Sequence, residues 1–212
     1  MENDWASENL QVIRTLMESS AIYRRALAPV MGLVGVTGIA AGVLGAFLNF
    51  ETSRRFVTYW MAVAILCLAG AFLMVRRQAF SAHESFWSPP TRRVAQAVWP
   101  AFFAAAVIGI VFFKMGATDR PTVLLLVPVW MVLYGLAMHG AGFFMPRGAR
   151  IFGWGFIGFG LVLFAHLVEV RTFRIPLADF PFANATMGVM FGGGHGAYSL
   201  YLYFTEQRGK VA

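Results

Sequence analysis

Three histidines stand in or beside long apolar runs of this chain: His139, His166 and His195. Imidazole can take a proton, donate and accept hydrogen bonds, and ligate a metal, so these are the side chains best equipped for chemistry there. Three of them invite a zinc site. Their depth argues against it. His139 lies 17 residues beyond Thr122, where its apolar run begins, and His195 lies 10 beyond Ala185, where its own begins. At 1.5 Å per residue the two differ by about 10 Å in depth. His166 sits three residues before Glu169, at the far end of the intervening run, and is farther still from His139. Ligands about 2 Å from one metal cannot spread that widely. No metal site is expected.

Three other uses of the histidines stay open. Each can donate a hydrogen bond to a carbonyl of a neighbouring helix. His195, His139, Tyr134 and Tyr198, with Ser199 on the same face as His195, can form a ligand pocket or polar path. One or two histidines can hold a b-type haem, although no pair at matched spacing exists, and no cofactor is called for. His166 and Glu169, three residues apart, share a helix face and can pair near the outer surface. No catalytic residues are expected. Motifs of zinc proteases, serine hydrolases, phosphate loops and dinucleotide sites are missing. The run Gly192-Gly193-Gly194 is not a phosphate loop, because no Lys-Ser/Thr pair follows it.

Glycine spacing is the clearest pattern. Ala28, Gly32, Gly35, Gly38, Gly42 and Gly45 recur every three or four residues and predict a narrow small-residue face. Gly188, Gly192, His195 and Ser199 form a related stripe, and Gly135 and Gly142 share a face with His139. Small side chains let two helix backbones approach closely, which is how helices associate in lipid. The partner of the first stripe is either internal or in a second subunit.

These residues need elements to hold them, and composition says which. The chain has 212 residues, 58% hydrophobic and 13% charged, with a mean hydropathy of +0.65. Soluble domains are about 45–50% apolar and about 25% charged. A soluble enzyme, a disordered tail and a disulfide scaffold are excluded, the last also by the single cysteine, Cys67. Six segments reach the roughly 20 apolar residues of a membrane span: residues 26–50, 56–75, 94–113, 122–145, 151–168 and 185–204. All ten acidic and all 17 basic residues fall outside or at the ends of these segments. An interior charge would cost about 2.5–3.5 kcal/mol even on the mild insertion scale. Ion-coupled transporters usually carry such carboxylates, so a proton or sodium pump is disfavoured.

Lysine and arginine set the orientation. Arg14, Arg24, Arg25, Arg76, Arg77, Arg92, Arg93, Arg147, Arg150, Arg208 and Lys210 lie on one side; Arg54, Arg55, Lys114, Arg120, Arg171 and Arg174 lie on the other. Both termini are expected in the cytoplasm. Residues 7–23 read as an amphipathic helix that either lies on the membrane surface, with Trp5 and Tyr23 as anchors, or packs on the inner ends of the spans or on another subunit. A signal peptide is not expected, since Glu2, Asp4 and Glu8 come first. The loop 76–93 carries Arg76, Arg77, Arg92 and Arg93 beside Phe80, Phe86 and Trp87, which suits anionic lipid headgroups, with a docking surface for a cytoplasmic partner as the alternative. The net charge of +7 is thus assigned to membrane surfaces and not to nucleic acid. The loop 169–184 is expected to cap the outer interface.

Two stretches carry a resemblance. Glu8, Asn9, Leu10, Ile13, Arg14, Met17 and Glu18 follow the pattern "ENL-x-x-IR-x-x-M-E" of an uncharacterised family of small bacterial multi-span membrane proteins. Phe191-Gly192-Gly193-Gly194-His195 is similar to the "GFGGLH" segment in that family's last span, with Gly194 where the pattern has leucine. The basic tail motif of the family is missing. The resemblance implies a bacterial inner-membrane protein and supplies no activity.

The sequence thus predicts an all-α integral membrane protein: an amphipathic helix over residues 1–25, a six-helix bundle over 26–204, and a short cytoplasmic tail over 205–212. The expected role is non-enzymatic binding of a hydrophobic small molecule, a lipid or a partner subunit, with a homo-oligomer among the options. The alternative is a channel or transporter with a polar path near His139 and His195. A haem- or metal-binding subunit is the lesser alternative.

Overall fold

The computed structural model describes residues 2–48, 50, 52–81, 85–115, 124–146, 148–172 and 179–211. Arg147 and the segments 116–123 and 173–178 lie outside the described set, as do the side chains of residues 2–8 (Trp5 among them), 11–26, 170–172, 179 and 206–211, which include Tyr23, Arg171, Arg208 and Lys210. The described residues are helical, with no strand among them. Helix α1 spans Glu2–Phe47, α2 Ser53–Ser81, α3 Pro89–Met115, α4 Leu126–Ala141, α5 Gly148–Thr172, α6 Asp179–Met187 and α7 Gly194–Val211. A π-helical segment, Gly188–Gly193, joins α6 to α7. An apolar chain in hydrocarbon must satisfy every backbone group internally, and a helix does so within one segment.

The helix ends follow local chemistry. The Thr52 carbonyl accepts from Phe56 N–H at 3.3 Å and its hydroxyl from Arg55 N–H at 3.3 Å, capping α2. Helix α3 opens on Pro89–Pro90, where a missing N–H costs nothing. Helix α1 runs unbroken across the expected boundary at residue 25, with Pro29 inside it.

Among the described residues, four helices are long and apolar enough to cross a membrane: Leu27–Phe47 within α1, Ser53–Ser81, Pro89–Met115 and Gly148–Glu169 within α5. The other two expected spans differ in form. Residues 122–145 yield α4, a helix of 16 residues and thus about 24 Å long. Residues 185–204 are not one α-helix, because the π segment interrupts them. The loop 169–184 is partly helix, since α6 begins at Asp179.

Packing runs from α1 to α2, α2 to α3, α3 to α4 and α4 to α5, while α6, the π segment and α7 lie along α1. Phe152 and Phe156 of α5 meet Tyr198 and His195 of α7 and close the circuit. One end of the interior is filled by Phe56, Trp60, Leu126, Met131, Phe180 and Met187. The other holds Leu27, Met31, Met138, Tyr198 and Leu202. The outward faces are apolar too: Ile65, Leu66 and Leu73 on α2 and Trp99, Phe103 and Ile110 on α3 are exposed.

Two glycine seams set the closest approaches. A Cβ on Gly42 would lie 2.5 Å from Gly188 Cα, one on Gly38 2.7 Å from Gly192 Cα, and one on Gly35 2.7 Å from Gly196 N. The stripe of α1 therefore meets the stripe of the last segment inside one chain, antiparallel to it. A Cβ on Gly45 would lie 2.8 Å from Asn184 Oδ1. The second seam joins α4 to α5, where a Cβ on Gly135 would lie 2.7 Å from the Gly153 carbonyl.

Candidate functional site

His195 lies in the first turn of α7, only 1% exposed. Its Nδ1 is 2.5 Å from the Phe191 carbonyl oxygen. A carbonyl only accepts, so Nδ1 carries the proton and donates. In a neutral ring Nε2 is then an acceptor, and the Tyr134 hydroxyl, 2.5 Å away on α4, donates to it. Both ring nitrogens are satisfied, which is what a polar side chain needs in an apolar interior.

Aromatic rings enclose the pair. Phe152 stands edge-on to His195 at 5.1 Å between centroids, Phe156 at 5.7 Å, and Phe191 lies nearly parallel at 6.4 Å. Tyr134 packs edge-on to Phe156 at 5.0 Å and stacks with Phe102 at 6.1 Å. The hydrogen bond from Tyr134 therefore ties α4 to α7 through a junction of aromatic rings.

The π segment shapes this site. The N–H of Gly194 points at the carbonyls of Val189, Met190 and Phe191 together, a widened turn compared with the single partner of an α-helix. The His195 imidazole adds a second donor at Phe191. Gly188 and Gly192 keep the widened turn thin enough for α1 to lie against it.

The other candidates fall in different places. Tyr198 stacks on Phe152 at 4.6 Å and 12°, so it joins the junction from the α7 side, but its buried hydroxyl has no hydrogen-bond partner. The Ser199 hydroxyl donates to the Ala28 carbonyl of α1 at 2.8 Å. His139 is not brought to His195. Its ring stands edge-on to Phe143 at 5.4 Å and Trp154 at 5.3 Å, on the outer side of the α4–α5 seam. His166 and Glu169 are both exposed on α5, with no hydrogen bond or ion pair between them among the described residues. Arg76, Arg77, Arg92 and Arg93 are exposed, and the Arg76 guanidinium lies 5.4 Å over the Phe80 ring. Among the described residues no three His, Cys, Asp or Glu side chains gather where they could hold a metal.

One buried polar centre escaped sequence reasoning. Asn184, 1% exposed, accepts from Trp60 Nε1 at 2.8 Å and donates to the Gly45 carbonyl at 2.9 Å. It ties α6, α2 and α1 together. The signal was its spacing, since Asn184, Gly188, Gly192 and Gly196 recur every four residues. No protein-family model matches the chain, and neither does any curated protein or solved structure.

Proposed function

We propose that this chain is a non-enzymatic integral membrane protein of six spans that binds a hydrophobic small molecule, a lipid or a partner subunit within or beside its bundle. Following the family resemblance, it belongs in a bacterial inner membrane with both termini in the cytoplasm. Helix α4 counts as a span because it lies along α5, with Gly142 opposite Arg150 and Gly135 opposite Gly153. The last segment counts as a span because it matches α1 from Asn184 opposite Gly45 to Ser199 opposite Ala28.

The observation that carries the role is a contrast. The buried polar groups of His195, Tyr134, Asn184 and Trp60 bond to one another or to backbone. The outer faces are uncovered: only 17% of the apolar window of α2 and 6% of that of α3 is buried by the rest of the chain. A chain built this way offers contacts at its periphery. Exposed Arg76, Arg77, Arg92 and Arg93 suit anionic headgroups at the end where α2 gives way to α3. The polar-path alternative draws less support, because His139 and His195 share no ring neighbour.

Native mass spectrometry of the full chain released from nanodiscs tests this role, alongside ion flux in liposomes. A retained hydrophobic molecule or second chain, with no flux, is expected. A bare monomer that conducts ions would overturn it.

A further inference from the structure

The outer side of the α4–α5 seam carries a group that the bundle does not use. His139 Nδ1 is buried and has no hydrogen-bond partner. The bundle itself covers that nitrogen, while the ring is partly exposed, so Nε2 is the atom that can meet a group from outside. The two rings against His139 lead outward: Phe143 is 64% exposed and Trp154 60%. At the level of Phe143, one turn nearer the connection between the two helices, the Arg150 guanidinium lies 5.4 Å over the Phe143 ring. No acidic side chain pairs with Arg150 among the described residues.

The seam is thus layered. Arg150 and Phe143 form one level. His139 and Trp154 form the next, four residues deeper on each helix, or about 6 Å. Deeper still, Leu136 and Leu161 are exposed. Cation, hydrogen-bonding group and apolar track follow one another from the bundle end inward. A glycerophospholipid presents its parts in the same order: phosphate, glycerol ester, acyl chain.

We propose that this seam binds one anionic glycerophospholipid. Its phosphate sits on Arg150, where the guanidinium fork matches two phosphate oxygens. Its ester carbonyl accepts from His139 Nε2–H, and an acyl chain passes Trp154 along Leu136 and Leu161. The chain's net charge of +7 and the unpaired Arg150 favour an anionic lipid over a zwitterionic one. This inference rests on the membrane-binding role above and names lipid as the bound species and the seam as its place.

The test is native mass spectrometry of the full chain from nanodiscs of mixed phosphatidylglycerol and phosphatidylcholine. The wild-type chain should retain one phosphatidylglycerol in preference. Arg150→Gln and His139→Leu should each weaken that retention about tenfold, the loss of one charge-assisted or buried hydrogen bond. Lys114→Gln, an exposed cation at the far end of α3, should leave it unchanged. Circular dichroism and size exclusion check each variant's fold, and two variants on different helices keep the test open if one does not fold. Unchanged phosphatidylglycerol retention in folded variants would overturn the proposal. So would inorganic phosphate displacing the lipid and binding alone, or a second copy of the chain seated on the seam. A different hydrophobic molecule, retained equally by wild type and both variants, would overturn this site while leaving the binding role. A bare, conducting monomer would remove both.

Discussion

Tyr134 on α4 and His195 on α7 are joined by a 2.5 Å hydrogen bond whose direction is set by the Phe191 carbonyl on the other side of the ring. The chain separates these residues by 61 positions, so the bond spans two elements that are not neighbours in sequence. It is the polar tie across an otherwise aromatic junction.

Tyr134→Phe should therefore destabilise the fold. The Nε2 acceptor would be left buried without a donor, which costs about 1–3 kcal/mol. His195→Phe should cost a similar amount. Since both remove the same bond, the double variant should lose much less than the sum. Unfolding of all four proteins in one detergent measures this, and additive losses would mean that the two residues act independently. Any retained lipid should be little changed in these variants, because the rings around His195 are not those around His139.

The second prediction concerns the seam between α1 and the last segment. Gly42→Ile should lower stability by about 1–3 kcal/mol or prevent folding, because its Cβ would meet backbone and not a flexible side chain. Gly155→Ala is the contrast, since nothing lies within 4 Å of a Cβ there. Thermal unfolding followed by tryptophan fluorescence compares the two. Wild-type stability in Gly42→Ile would show that the seam is not a close contact.

A third prediction follows from Asn184. Asn184→Leu should cost about 1–3 kcal/mol, since it strips the buried Trp60 Nε1 of its acceptor. Trp60→Phe in the same background should recover part of the loss by removing the orphaned donor. Unfolding midpoints of the single and double variants decide the matter, and no recovery would place the cost elsewhere.

These sites differ in how far sequence reveals them. Hydropathy marks where apolar segments lie, because charge is expelled from hydrocarbon regardless of fold. Spacing shows that Gly38, Gly42, Gly188 and Gly192 lie on helix faces, but not which faces meet. That pairing depends on the whole circuit of helices. Residue count set His139 and His195 at different depths, which argued against a shared metal, but it still left them in one expected polar path; their separate ring neighbours come from which helix faces meet. The rings of Phe152 and Phe156 around His195 were not, because any of the chain's 21 phenylalanines fits an apolar face equally well. The π segment leaves no periodic mark, and Asn184 was hidden by its place beside a Pro-containing stretch that resembles a loop.

The central claim is that the chain crosses the membrane six times, with α4 and the last segment as spans. Paired topology reporters, one fused after Ala212 and one inserted between residues 173 and 178, test it most directly. The six-span account predicts opposite sides: the C-terminus in the cytoplasm and the inserted reporter outside. Were only the four long helices to cross, both reporters would lie on the same side, and that result would contradict the account.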